Sequence, residues 1–187
     1  SMEREQNESS TPYLRETTML SRHGVTLTKL RKEHLEMTLT WRNQDFVREN
    51  MLSPKLITSK EHNNWFDNLD EERNFHFLIK AKTEFLGSCS IKILENNMAE
   101  GGVFMATQEK SHALIPIKAI CILYDWVFTE LKVNCIKAKI IPQNKKAINF
   151  NTGLGFKKDR AQDNVIYASL DRNNFYEKSL IYLNFQK

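Results

Sequence analysis

The N-terminal third of the chain changes from a two-residue period of apolar positions to a helical one. Apolar and polar side chains alternate at residues 25–28, which predicts a half-buried strand, and the polar residues 31–34 then lead into a helix ending near Arg42. Thr58 and Glu61 have the spacing of a capping box. They predict a second helix, whose inner face carries four side chains at helical spacing: His62, Trp65, Phe66 and Leu69.

The middle of the chain predicts three strands followed by a long helix. Residues 74–80, 84–94 and 101–107 have strand-like patterns separated by polar turns, and they indicate an antiparallel meander. From Pro116 the apolar positions repeat about every 3.6 residues. We therefore expect a helix that begins at this proline and ends near Lys132.

The next segment predicts a strand and a short helix. Residues 135–141 are rich in β-branched side chains, which favours a strand. Asn144 can cap a helix over residues 145–152, and Gly153 can end it.

The chain is expected to close with two strands, at residues 165–170 and 176–185, on either side of a turn at residues 171–174. The complete order is β-α-α-β-β-β-α-β-α-β-β. This order predicts an α/β fold of the α+β type, with a mixed, mostly antiparallel sheet of about seven strands flanked by about four helices.

The composition fits one domain. With 187 residues, 41% of them hydrophobic and 27% charged, the chain can bury a full core. Residues 1–21 are polar and lack periodicity, which predicts a flexible tail before a domain at residues 22–187. No long apolar run and no signal pattern occurs, so we expect a cytoplasmic protein without a membrane partner.

Charge and metal-ligand spacing argue against two further classes of partner. The net charge of +4 is spread along the chain, without the basic stripe that nucleic-acid binding requires, so nucleic acid is not an expected partner. The five histidines lack the spacing of metal ligands on one helical face, and no metal site is expected. Three cysteines inside apolar stretches are expected to be reduced core thiols: Cys89, Cys121 and Cys135.

Residues 144–156 are the most specific signal in the chain. They read N-K-K-A-I-N-F-N-T-G-L-G-F and resemble the signature segment N-x-x-A-I-x-x-Y-x-x-x-G-F of the GNAT superfamily of N-acetyltransferases. The resemblance covers about residues 25–185 and implies the GNAT fold, in which the pantetheine of acetyl-CoA adds like an extra strand in a V-shaped gap. It implies a set of cofactor-binding residues: Phe104, Met105, Ala106 and Ile141 beside the gap, Lys110 and Ser111 near the pyrophosphate, and Asn144 and Ala147 on the following helix.

Residues 41–66 resemble one GNAT subgroup, which contains ribosomal-protein N-terminal acetyltransferases and the amino-sugar N-acetyltransferase of pseudaminic acid biosynthesis. Residues 167–182 resemble its closing hairpin. The implied acceptor-binding residues are Trp41, Arg42, Met51 and His62, whereas core packing is favoured for Trp65 and Phe66. Arg42 is expected to pair either with a nucleotide phosphate or with Glu49 or Asp45. Asn50 and Leu52 stand where the sugar enzyme has aromatic residues.

The resemblance also implies the catalytic groups. Glu100 precedes Gly101-Gly102 at the start of the central strand, where a glutamate often serves as general base; a solvated carboxylate in a turn is the alternative. Asn151 stands where many GNAT enzymes carry a tyrosine that protonates the leaving thiolate, and an amide has no such proton. Either hydrogen bonding and water assist the thiolate, or another group acts, with His112 and Tyr124 as candidates.

The pyrophosphate loop departs from the family pattern, because residues 110–116 contain no glycine. The start of the next helix still favours an anion, with contacts from Lys110 and Ser111. Bulky Leu114 and Ile115 are expected to hold the pyrophosphate away from the backbone.

These residues predict an acetyl-CoA-dependent N-acetyltransferase of a small-molecule primary amine, with a nucleotide-linked 4-amino-deoxy sugar as the leading acceptor. Two alternatives stay open: acetylation of a protein N-terminus such as that of a ribosomal protein, and a non-catalytic GNAT-like binding protein. A homodimer is also left open.

Overall fold

The computed structural model describes residues 19–112 and 114–183, which form eight strands and six helices. The strands are β1 Met19–Arg22, β2 Val25–Lys29, β3 Asn74–Ala81, β4 Glu84–Ile93, β5 Met98–Met105, β6 Cys135–Ile140, β7 Lys157–Gln162 and β8 Val165–Asp171. The helices are α1 Leu35–Arg42, α2 Asp45–Arg48, α3 Ser59–Asp67, α4 Ile115–Thr129, α5 Lys145–Leu154 and α6 Arg172–Leu183. The predicted fold class is confirmed, with one strand and two helices more than expected.

All eight strands join one sheet in the order β1-β2-β3-β4-β5-β6-β8-β7. Neighbouring strands are antiparallel except β5 and β6, which are parallel. Two-residue turns with positive φ close three hairpins and match the right-handed twist of their strands. These turns are His23 and Gly24, Asn96 and Asn97, and Asp163 and Asn164.

The sheet has helices on both faces. On β3, Phe77 and Ile79 pack in the large core under α4, whereas Leu78 between them packs with Leu30 and Leu35 beneath α1. This alternation is the two-residue period of a strand that is buried on both sides. The domain therefore has three layers, with α4 and α6 on one face and α1 and α3 on the other.

The chain closes with a helix rather than with the strand predicted at residues 176–185, which was wrong. Asp171 ends β8, and its Oδ1 accepts a hydrogen bond from the backbone N–H of Asn174 at 2.8 Å, as a helix cap does. Phe175 and Ser179 are fully buried and lie one helical turn apart. Residues 171–174 are thus a helix start, not a turn between strands.

The closing hairpin lies earlier than predicted, because β7 pairs with β8. All six side chains of β7 are exposed, so this edge strand has no apolar alternation by which the sequence could reveal it. The neighbouring Asp163-Asn164 turn was the available signal.

Two predicted boundaries also move. Helix α5 ends at Leu154 with Gly155 as its C-cap, and does not stop at Gly153 as predicted. Gly155 has φ +107°, and a Cβ there would lie 2.8 Å from the carbonyl oxygen of Asn174. Strand β1 begins at Met19, inside the stretch predicted as a tail. Residues 1–18 lie outside the described residues.

Candidate active site

The central feature of the site is a gap between two parallel strands. Strands β5 and β6 pair from Met98 to Glu100 and then diverge. The backbone groups of two even-numbered residues point away from the gap, toward β4. The Ala106 N–H donates a hydrogen bond to the carbonyl of Leu86, and the carbonyl of Met98 accepts one from the Leu94 N–H. Because successive backbone groups alternate, the odd-numbered residues turn their N–H and C=O groups toward the gap. An extended ligand can add to this edge as a strand does.

The gap opens into a cavity of about 280 Å³, here called the cleft. Helices α4 and α5 form its floor and one wall. The wall of α5 starts at Asn144, whose Oδ1 accepts a hydrogen bond from the Ala147 N–H at 3.2 Å and so caps the helix as predicted. The cleft lining includes Pro116, Ile120, Tyr124, Asn144, Lys146, Ala147, Phe150 and Asn151.

Glu100 lies at the point where the strands separate. Its side chain is 30% exposed, lines the cleft and forms an ion pair with Lys139 Nζ at 3.9 Å. A carboxylate in this position can accept a proton from an incoming nucleophile. Lys139 was not predicted, because it is one of many scattered lysines in the sequence.

A second cavity, here called the polar cavity, lies on the sheet face beneath α1 and α3. His62 contacts Thr38 Oγ1 through Nε2 at 3.1 Å and stacks on Trp65 with ring centroids 5.2 Å apart. His76 packs edge-on against the same tryptophan at 4.9 Å. Ser88 and Ser90 of β4 add hydroxyl groups to this lining.

The two histidines are neutral at physiological pH. Burial lowers the pKa of His76 to about 4, with a smaller contribution from His62. Burial and then the charge of Arg42 lower the pKa of His62. The polar cavity therefore takes its fixed positive charge from Arg42 and Lys139, not from imidazolium groups.

Arg42 and Arg48 lie close in sequence but have different environments. Arg48 forms an ion pair with Asp45 at 2.6 Å and donates to the carbonyls of Asn43 and Pro54. Arg42 donates from Nη2 to the carbonyl of Ser53 at 3.1 Å, while its buried Nη1 has no partner among the described residues. Burial and then Arg48 lower the pKa of Arg42. Of the two carboxylates suggested by the sequence, Asp45 is thus taken by Arg48, and Arg42 forms no ion pair with Glu49 or with any other carboxylate of the described residues. Arg42 lines the polar cavity.

The two cavities meet through the sheet. Their shared lining includes Asn50, Met51, Gly101, Gly102, Val103, Phe104 and Lys139. A Cβ at Gly101 would overlap the Tyr124 hydroxyl and lie 2.8 Å from Tyr124 Cζ, and one at Gly102 would lie 3.3 Å from Ser90 Oγ. The absence of a side chain at Gly101 therefore leaves room for the Tyr124 hydroxyl on the cleft side, and at Gly102 it leaves room for Ser90 on the other face.

The sequence of residues 25–157 matches a family model described as Acetyltransferase (GNAT) domain. The chain belongs to the GNAT family. The match confirms the predicted family and the predicted class of enzyme, an N-acetyltransferase.

Three similar proteins illustrate the range of this family. The chain is 29% identical over 91 residues to the uncharacterized N-acetyltransferase p20 of Bacillus licheniformis, over 48% of this chain and 51% of p20. It is 25% identical over 122 residues to the acetyltransferase PseH of Campylobacter jejuni, over 65% of this chain and 75% of PseH. The match thus spans about half the length of the first relative. The structure of apo FdhC, a nucleotide-linked sugar GNAT, has a TM-score of 0.75 at 18% identity, covering 90% of this chain and 98% of FdhC. At that identity the likeness shows the fold.

Within the GNAT framework, the residues predicted to bind the cofactor fall into two groups. Met105 turns its backbone to the gap, and Phe104, Ser111, Asn144 and Ala147 line the cleft. Three others lie outside its lining. The Ala106 N–H donates a hydrogen bond to the Leu86 carbonyl, and the Ala106 carbonyl accepts one from the Gln44 side chain. Ile141 is buried, and Lys110 forms an ion pair with Glu84 at 3.9 Å.

The two bulky residues of the glycine-free loop have different environments, because the Leu114 side chain is 64% exposed and Ile115 packs against the core. Their effect on the pyrophosphate stays a prediction. At the mouth of the cleft, Lys146 Nζ donates a hydrogen bond to Ser111 Oγ, and burial lowers the pKa of Lys146. Lys146 was missed because the family signature leaves its position open.

Of the predicted acceptor residues and Asn151, all but Trp41 line at least one of the two cavities. Arg42 and His62 line the polar cavity and Met51 lines both cavities, whereas Trp41 packs with Leu30, Leu35 and Leu78 outside the lining. Asn151 lines the cleft, and its Nδ2 donates to the Ala147 carbonyl at 2.9 Å. The side chain of His112 lies outside the described residues.

Neither a metal centre nor a membrane span is found in the part of the chain that the structure describes. Among residues 19–112 and 114–183, no three His, Cys, Asp or Glu side chains are grouped as metal ligands. No described helix is long and apolar enough to cross a membrane.

Proposed function

We propose that this GNAT protein transfers the acetyl group of acetyl-CoA to the primary amine of a nucleotide-linked 4-amino-deoxy sugar. The observation that carries the proposal is the buried, unpartnered Nη1 of Arg42 in a cavity that opens onto the cleft. A guanidinium in that position is stabilised by an anionic ligand. The diphosphate of a sugar nucleotide is such a ligand.

The cleft is the proposed site of acetyl-CoA. The backbone groups of Gly101, Val103 and Met105 would pair with its pantetheine amides. Lys146 and Ser111 at the mouth would contact its phosphates. Bound acetyl-CoA supplies the activated acetyl group, and the enclosed walls exclude water from the thioester.

The polar cavity is the proposed acceptor site. Arg42 provides positive charge for the nucleotide part. Lys139 and Glu61 also line the cavity, but each is paired at 3.9 Å, Lys139 with Glu100 and Glu61 with Lys55. The sugar amine would enter the junction at Gly101 and Gly102, beside Glu100, which accepts its proton. The similarity to PseH and to the nucleotide-linked sugar GNAT FdhC supports this acceptor class.

A thiol-release assay with acetyl-CoA tests the proposal. The acceptors are a nucleotide-linked 4-amino-deoxy sugar, the same sugar without its nucleotide, and short peptides with free N-termini. We expect kcat/KM for the nucleotide-linked sugar to exceed that for the other acceptors by at least about tenfold. A preference for peptides would support N-terminal acetylation instead, and release with none of them would contradict the proposed acceptor class.

The variant Arg42→Gln tests the role of the guanidinium. We expect it to lower kcat/KM for the nucleotide-linked sugar by about tenfold or more, and to change the value for the free sugar by less than about twofold. Lys60→Gln, which removes one positive charge from the exposed face of α3, is the matched control. Equal losses with both sugars would show that Arg42 does not contact the nucleotide.

A further inference from the structure

Tyr124 occupies the floor of the cleft. Its ring is held by Phe156 and Phe175, at centroid distances of 6.4 and 6.2 Å. Its hydroxyl reaches the backbone of Gly101, so closely that a Cβ at this position would overlap it. The side chain therefore places an O–H group where β5 and β6 begin to diverge, one residue from Glu100.

The Tyr124 hydroxyl has no hydrogen-bond partner among the described residues, although the residue is buried and lines the cleft. Its oxygen is accessible from the cleft, because it is not one of the fully buried polar atoms that lack a partner among the described residues. A ligand atom in the cleft can therefore accept its hydrogen. The hydroxyl is thus prepared to act as a donor toward whatever occupies the base of the cleft.

Asn151, which lines the cleft from α5, does not provide such a group. Its Nδ2 donates to the carbonyl of Ala147, and an amide has no titratable proton near neutral pH. The chain therefore has no acidic side chain at the position where the resemblance expects a tyrosine. Tyr124 reaches the same cavity from α4.

We propose that Tyr124 Oη donates its hydrogen to the departing sulfur of acetyl-CoA and so replaces, from another helix, the acid missing at Asn151. This inference rests on the proposed function. As the amine nitrogen bonds to the acetyl carbon, Glu100 takes the amine proton, the C–S bond breaks with its electron pair on sulfur, and Tyr124 protonates the sulfur. The proton on Glu100 then returns to Tyr124, which balances the cycle.

The electrostatic environment keeps this hydroxyl in its donor form. Burial raises the pKa of Tyr124 well above its ordinary value, with smaller contributions from Cys89, Cys121 and Glu100. The residue thus stays protonated at every pH at which the protein would be assayed. It stabilises developing negative charge on sulfur at the moment the bond breaks.

The first test requires no acceptor. Calorimetry gives the Kd values of CoA and of desulfo-CoA, which lacks the sulfur, between pH 7 and pH 10 for the wild type, Tyr124→Phe and Tyr176→Phe. A donor near the sulfur lowers the pKa of the bound thiol, so the affinity of CoA relative to desulfo-CoA rises with pH. We expect this rise to be about tenfold larger in the wild type than in Tyr124→Phe, which corresponds to about one pKa unit.

Tyr176→Phe is the matched control, because its hydroxyl is bonded to Asp125 at 2.7 Å and lies outside the lining of the cleft. It should behave as the wild type does. Identical pH dependence in the wild type and Tyr124→Phe would overturn the proposal for Tyr124. Because only CoA and its analogue are used, this result is independent of whether the proposed acceptor is correct.

The second test is a kinetic rescue. Tyr124→Phe should lower kcat by about tenfold or more, with KM for acetyl-CoA within about twofold, since only the donor is removed. Adding Asn151→Tyr to this variant should restore most of the loss, and adding Asn151→Phe should not. Wild-type kcat in Tyr124→Phe would overturn the proposal.

Discussion

The cleft and the polar cavity differ in what builds them. The backbone builds most of the cleft, because two strands stop pairing after Glu100 and a capped helix begins at Asn144 beside them. Side chains from separate segments build the polar cavity, among them Arg42 of α1, His62 of α3 and His76 of β3. Strand divergence follows from the topology, whereas the polar cavity follows from individual residues. We therefore expect the proposed acetyl-CoA site to be common to the family and the proposed acceptor site to be specific to this chain.

The two cavities also differ in their charged groups. In the cleft, Lys146 stands at the mouth and contacts Ser111, while the charges of Glu100 and Lys139 in the lining are paired with each other at 3.9 Å. In the polar cavity, by contrast, the lining includes Arg42, whose Nη1 has no partner among the described residues. This difference suits an elongated ligand with external phosphates in the cleft and an anionic acceptor held within the polar cavity.

The largest expected effect is at the junction of the two cavities. Gly101→Ala should lower the free energy of unfolding by about 3 kcal/mol, because the new methyl overlaps Tyr124 on the cleft side. Gly102→Ala should cost about 1 kcal/mol or less, because its methyl meets Ser90 Oγ at 3.3 Å on the other face. Urea unfolding measures both. Equal losses would mean that the cleft side of the junction is no tighter than the other.

A smaller effect concerns the polar cavity and its dependence on pH. His76 has a pKa of about 4 when folded and 6.5 as its ordinary value, so between these values the unfolded chain binds more protons. Stability should therefore fall as pH decreases from 6.5 toward 4, by about 2–3 kcal/mol from this residue. Denaturant titrations across this range should show a smaller decrease for His76→Phe than for the wild type. An equal decrease in stability in the wild type and in His76→Phe would show that His76 is not its cause.

Glu100 belongs to the junction, and its removal should affect catalysis rather than binding. Glu100→Gln should lower kcat by about tenfold or more, with little change in the Kd of acetyl-CoA, because only the proton acceptor is lost. Glu95→Gln, in the exposed turn after β4, is the control. Steady-state kinetics and calorimetry separate the two quantities. Unchanged kcat would remove Glu100 from the mechanism.

The smallest effect is expected at the mouth of the cleft. Lys146→Met should weaken CoA binding by about fivefold, on the order of 1 kcal/mol, and leave the affinity of the pantetheine fragment unchanged. Lys145→Met, which alters the exposed neighbour, should leave both affinities unchanged. If Lys146→Met weakens the binding of the pantetheine fragment as much as that of CoA, Lys146 does not act on the phosphates.

Local signals predicted two helix starts, that of α3 beside the polar cavity and that of α5 beside the cleft. The N-cap at Thr58 is confirmed by the hydrogen bond from the Glu61 N–H to Thr58 Oγ1 at 3.1 Å, although the Glu61 carboxylate accepts from the Thr58 hydroxyl and not from its backbone N–H. The cap at Asn144 is likewise confirmed. Both depend on residues three positions apart, so the sequence contains them completely. Helix α6 and strand β7 were missed for the opposite reason. The burial of Phe175 against Phe128 decides the helix, and pairing with β8 decides the exposed strand.

The sequence by itself determined the family, the order of most elements and the position of Glu100 at the start of the central strand, because these depend on spacing along the chain. Only the tertiary structure decided which charges are free. Asp45 lies three residues from both Arg42 and Arg48, and the fold gives it to Arg48. The fold likewise brings Tyr124 of α4 against Gly101 of β5, 23 positions earlier in the numbering. Contacts between distant segments depend on how the layers pack, and side-chain pairing follows from that packing.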